Sequence, residues 1–165
     1  MKKLIPLLLV LLSLHVSAQK SKKELFLGKV YRSCTDTLVT PVVSKTCYEL
    51  GLYASMRDDI FDQMQGALPA PILKALQIAA AADTIPEQWD FNLLPDLTPI
   101  KTDTLHYVAH QTVYRFSRPV YYEDKYALIS MGYNCGMLCG CGCTYLFKRK
   151  GKKWILVDRY SCWVS

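Results

Sequence analysis

Beyond its first eighteen positions the chain has no long apolar run. A helix that crosses a bilayer needs about 20 such residues in succession, so no transmembrane segment is expected after the leader. Internal repeats and low-complexity tracts are missing too, which argues against repeat arrays and extended linkers. The motifs that carry familiar chemistry are equally scarce. No His-Glu-x-x-His, Gly-x-Ser-x-Gly or phosphate-cradling glycine loop occurs, and Gly28-Lys29 stands without the rest of a P-loop. Cys-x-x-Cys, the spacing of thioredoxin-like redox pairs, does not occur either. Past position 18 the only histidines are His106 and His110, and as metal ligands they would need a third group that the sequence does not place. No catalytic residue is assigned, and no cofactor is expected.

The N-terminus carries a clear signal. Lys2 and Lys3 form a positive start, Leu4 to Leu14 is an almost unbroken apolar stretch, and Val16-Ser17-Ala18 supplies small residues for cleavage. Residues 1–18 are expected to be a cleaved signal peptide, with Gln19 first in a secreted or periplasmic bacterial protein. No cysteine lies near the cut, so lipoprotein processing is not indicated.

Charged residues make up 21% and apolar residues 51% of the sequence, as in an ordinary globular domain. The formal charge is +6, of which Lys2 and Lys3 supply two units, and the remainder is too small to argue for a polyanionic partner on its own. Residues 19–165 read as a single α+β domain. Leu52, Met56, Ile60 and Met64 recur at four-residue spacing, which predicts a helix from Tyr48 that Gly66 stops. Pro69 and Pro71 precede a second helical pattern from Ile72 to Ala82. Residues 25–34 mix apolar and basic side chains and fit strand or helix. Ile85 to Pro99 reads as an irregular crossing. From Leu105 onward Tyr, Val, Thr, Ile and Trp dominate, with turns at Glu123-Asp124-Lys125 and Lys150-Gly151. The expected architecture is two helices, over about 48–83, packed on a C-terminal antiparallel β-meander of four or five strands over about 105–165.

Seven cysteines are present, four of them at Cys135, Cys139, Cys141 and Cys143. In an exported protein their default state is the disulfide. A turn at Lys150-Gly151 sets Phe147 opposite Trp154, Tyr145 opposite Leu156, and Cys139 opposite Cys162, which makes Cys139 and Cys162 the first candidate disulfide. Cys34 and Cys47 are the second. If Gly136, Gly140 and Gly142 curl the segment into a loop, the four clustered thiols become an alternative site for zinc or copper. As a strand, the segment spaces its same-face sulfurs too widely for one metal.

Lys148, Arg149, Lys150, Lys152 and Lys153 form a basic hairpin tip beside Tyr145, Phe147 and Trp154. Such a patch suits nucleic acid or an anionic envelope polymer, whereas lysines at a tip also simply keep it solvated and block edge-to-edge association. The second reading is preferred, so no nucleic-acid partner is expected. Asp58, Asp59 and Asp62 read as a solvent face. The sequence therefore points to a disulfide-stabilised exported domain with a non-catalytic binding or structural role. A thiolate metal protein is the first alternative and a secreted hydrolase the second.

Overall fold

The computed structural model describes residues 22–35, 41–48, 50, 54–83, 87–100, 112–136 and 139–164. The signal-peptide segment, His106 and His110 lie outside these residues.

The first element is a helix, α1, over 22–34. Phe26, Leu27, Val30, Tyr31 and Cys34 follow the 3.6-residue period and are all buried, while Lys22, Leu25 and Lys29 face outward. Two-residue strands follow, β1 (Val42–Val43) and β2 (Thr46–Cys47). Helix α2 spans Ala54–Gln63 and α3 spans Ala70–Ala82, with Pro71 in the first turn of α3, where a missing N–H is tolerated. Next come β3 (Glu87–Gln88), a 3-10 turn at Phe91–Leu93 and β4 (Thr98–Pro99). The chain ends in β5 (Val113–Phe116), β6 (Val120–Tyr122), β7 (Tyr126–Gly136), β8 (Cys139–Lys150) and β9 (Lys153–Val164).

Among the described residues there are therefore three helices and a seven-stranded mixed sheet, not two helices on a short meander. The order is β4-β1-β5-β7-β8-β9, with β6 also paired to β7, and β2 pairs with β3 apart. The class remains α+β. What overturns the expected architecture is β1, which lies parallel to both β4 and β5 and so draws the N-terminal half into the sheet. A parallel neighbour needs a crossover, and α2 and α3 lie within the one from β1 to β4.

Helices cover both faces of the sheet. Side chains alternate along a strand, so Ala127, Ile129, Tyr145 and Phe147 point to one face, where they meet α1, while Leu128 and Leu146 point to the other. On that second face Ile60 and Phe61 of α2, Met64 just after it, and Leu76 and Ala80 of α3 complete a separate apolar cluster. Helix α2 begins at Ala54 rather than at Tyr48. Tyr48 instead bridges to Ser117, and its N–H donates to the Phe116 carbonyl at 3.1 Å. Gly66 does follow the helix, at φ +83°, a conformation that favours glycine. Pro119 sits just before β6, a position where its missing N–H breaks no ladder.

The last hairpin differs from its expected register. Lys150 pairs with Lys153, so the two-residue turn is Gly151-Lys152, with Gly151 at φ +59° in the first central position as a II′ turn requires. Two register shifts, between Leu146 and Phe147 and between Gly142 and Thr144, then add residues to β9. Phe147 consequently faces Leu156, Tyr145 faces Arg159 and Leu146 faces Asp158. Ser161, at φ 47°, lies in the second irregularity. The accumulated offset carries Cys162 four places along β8, from Cys139 to Cys143.

Candidate functional site

Two groupings of reactive side chains emerge, one of sulfur and one of charge. Cys143 and Cys162 form a disulfide with their Cα atoms 4.2 Å apart. Cys139 is also disulfide-bonded. Cys34 and Cys47, the other candidate pair, are separate buried thiols. Burial raises the Cys34 thiol pKa strongly and pushes that of Cys47 up to about 12, although Arg159 in the first case and Lys23 and Arg118 in the second oppose the shift. Cys141 is a half-buried free thiol on β8 between Gly140 and Gly142. Residues 139–143 run as strand, not as a metal-wrapping loop, and two of the four proposed ligands are oxidised. Among the described residues no three His, Cys, Asp or Glu side chains are placed to hold a metal ion.

A reactivity pattern follows. Thiolate is the nucleophile, so iodoacetamide at pH 8 in native buffer is expected to label Cys141 and spare Cys34 and Cys47, with denaturant releasing both. Mass spectrometry of the peptides checks this. Native labelling of Cys34 or Cys47 at the Cys141 rate would show that the α1 face of the core opens readily.

The charged grouping is a solvent-facing groove of about 280 Å³ between the N-terminal end of α1 and the β8–β9 hairpin. Its floor is aromatic. The Phe26 ring meets Trp154 edge-on at 5.0 Å and Tyr121 at 5.6 Å, and Tyr121 and Trp154 lie 6.3 Å apart and tilted by 46°. Four cations surround it: Lys22 and Lys29 from α1, and Arg149 and Lys152 from the hairpin. The one acid in the lining is Asp124, which pairs with Lys22.

Each of these side chains has a local reason for its position. Lys22, Leu25, Phe26 and Lys29 share a helix face by their spacing. Lys22 Nζ stands 4.3 Å from the centre of the Tyr121 ring, a cation–π distance. Asp124 is the second of two left-handed residues after Tyr122, with Glu123 at φ 45° and Asp124 at φ 53°, and the Lys125 N–H closes the turn onto the Tyr122 carbonyl at 2.8 Å. Arg149 is held from two sides. Its backbone N–H donates to the Lys125 carbonyl at 2.8 Å, and its side-chain Nε donates to the Gly151 carbonyl at 3.0 Å, which turns the outer edge of the guanidinium away from that carbonyl. Burial, with Asp124 and Glu24 nearby, raises the Tyr121 phenol pKa and keeps it protonated.

Of the basic tip, the fold brings Arg149, Lys152 and Trp154 into this groove. It turns the other members elsewhere. Lys148 stacks over Tyr126 at 5.4 Å, Lys150 and Lys153 pair across the hairpin, and Tyr145 and Phe147 are buried in the core. The α1 half is not marked in the sequence, because residues 25–34 fit strand and helix alike. A helical reading of Lys22, Leu25, Phe26 and Lys29 would have found it. The turn at Glu123-Asp124-Lys125 is legible locally, but nothing local marks Tyr121 or Asp124 as facing this groove.

Beneath the groove, Lys23 points the opposite way into a buried ionic cluster. Its Nζ donates to Glu87 Oε2 at 2.6 Å and to the Gln88 carbonyl at 3.0 Å, and lies 3.6 Å from Glu24. Glu24 accepts the Asp90 N–H at 3.1 Å, and Arg118 bridges Asp83 and Glu87 at 2.5 and 3.7 Å. These contacts fasten α1 to the β3 segment. Among the described residues no helix is long and apolar enough to cross a membrane. Compared with known families, with curated proteins and with solved structures, the chain gives no match.

Proposed function

We propose that the chain is a non-catalytic binding domain of an exported bacterial protein, cleaved after Ala18, and that its binding surface is the groove between α1 and the β8–β9 hairpin. One observation carries this reading. Four cationic side chains from two separate elements converge over a three-ring floor with a single carboxylate among them, which is an arrangement for an anionic ligand. The disulfide at Cys143 and Cys162 supports an oxidising destination.

The test uses short-chain polyphosphate as a plain polyanion. Wild-type protein is expected to bind it with an affinity that falls as salt rises. The double variant Lys29→Glu, Lys152→Glu should bind at least tenfold more weakly while melting at the wild-type temperature, because surface substitutions of this kind change stability little. Equal binding by the variant would place the anion elsewhere and end this reading.

A further inference from the structure

We infer that the groove takes one residue of an acidic polysaccharide, a sugar ring bearing a carboxylate, with the rest of the polymer running over the neighbouring surface. This rests on the anion-binding reading above and deepens it.

Size comes first. At about 280 Å³ the groove falls just below the ~300–1,000 Å³ of sites that enclose a drug-sized ligand, so it holds a single ring and its acid group. The chemistry of the walls then selects the ring. Arg149, anchored through Nε, offers its terminal nitrogens to a carboxylate, which matches that fork bidentately. Lys152 and Lys29 add charge from either side.

The floor argues against a nucleobase. Bases stack on exposed aromatic faces. Here Phe26 is only 3% exposed and meets its neighbours by the edge, while Tyr121 and Trp154 are tilted and half-buried, so no parallel pair of faces is available. A sugar needs less. Its C–H face carries slight positive charge and rests on part of one indole, whose face is negative.

Asp124 decides between a sugar acid and a bare anion. A carboxylate in an anion site opposes a polyanion such as polyphosphate. It favours a polyhydroxylated ligand, since a carboxylate has acceptor sites for several donors and, among the described residues, Lys22 donates to Asp124 Oδ1 alone. Asp124→Asn therefore gives opposite signs for the two ligand classes. Asparagine also tolerates the left-handed backbone at this position, so the turn survives.

Binding of a short oligogalacturonate, polyphosphate and a single-stranded DNA oligonucleotide is measured for wild type, Asp124→Asn and Trp154→Phe, with melting temperatures as the folding check. Asp124→Asn is expected to weaken oligogalacturonate binding about tenfold and to strengthen polyphosphate binding. Trp154→Phe keeps an aromatic ring in the core and should weaken oligogalacturonate alone, which secures the test if Asp124→Asn melts early. Stronger binding of both ligands by Asp124→Asn overturns the sugar assignment. So does wild-type protein that binds polyphosphate or the oligonucleotide but not oligogalacturonate, with the anion site left standing. Failure to bind any of the three removes the anion reading itself.

Discussion

Replacing Lys23 with methionine is expected to destabilise the protein by about 3–5 kcal/mol, the usual consequence of removing one partner from a buried ion pair. Lys23 is 6% exposed and Glu24 fully buried, so the variant leaves the Glu24 charge with the Asp90 N–H and without its neighbouring ammonium. Glu87 loses a 2.6 Å contact at the same time. The loss is read as a fall in the urea midpoint at constant slope. A double variant, Lys23→Met with Glu24→Gln, should recover much of it, because no unpaired charge remains in the interior and the amide oxygen still accepts from Asp90. If the single variant costs less than about 1 kcal/mol, a figure typical of surface pairs, then water reaches this cluster and α1 is held by its apolar face alone.

Alanine at both Cys143 and Cys162 is expected to cost about 3 kcal/mol, the chain-entropy value for a loop of this length, since the two residues are 19 apart in sequence. For a chain of this size that lowers Tm by roughly 6–12 °C. Alanine is chosen because Cys143 packs against the α1 cluster and a hydroxyl there would be poorly matched. Peptide mapping without reduction fixes the pairing independently. Recovery of Cys162 joined to Cys139 would contradict the β8–β9 register, and an unchanged Tm in the double variant would show that the hairpin is already closed by its own ladder.

Some of this architecture could be read from sequence and some could not. Helix α3 was legible because Pro69, Pro71, Leu76 and Ala80 state its start and its buried stripe locally. The later half of α2 was legible in Ile60 and Met64, but its start was not, because Tyr48 is claimed by Ser117, almost seventy positions away. Strands β1 and β4 are two residues each, too short for any period to register. The hairpin shows both cases. A glycine in the first place of a two-residue turn is a local rule, and applying it to Gly151 would have moved the turn by one residue. The two register shifts on β9 have no comparable sign in the sequence. The groove divides in the same way: the hairpin half is visible as a run of lysines beside Trp154 and the α1 half follows from helical spacing, whereas the meeting of the two with Asp124 comes only with the tertiary fold.

The distance along the chain between α1 and its supports has a kinetic consequence. The Tyr145 hydroxyl donates to the Cys34 carbonyl across 111 positions, and Phe26 rests on Phe147 and Trp154, both near the other end of the sequence. Emerging from a ribosome at about 5–20 residues per second, the helix spends several seconds with its apolar stripe uncovered, because no earlier segment can take the place of β7, β8 and β9. Contacts of such sequence separation are slow to form. A chain arranged this way cannot cover the apolar stripe of α1 until nearly all of it exists.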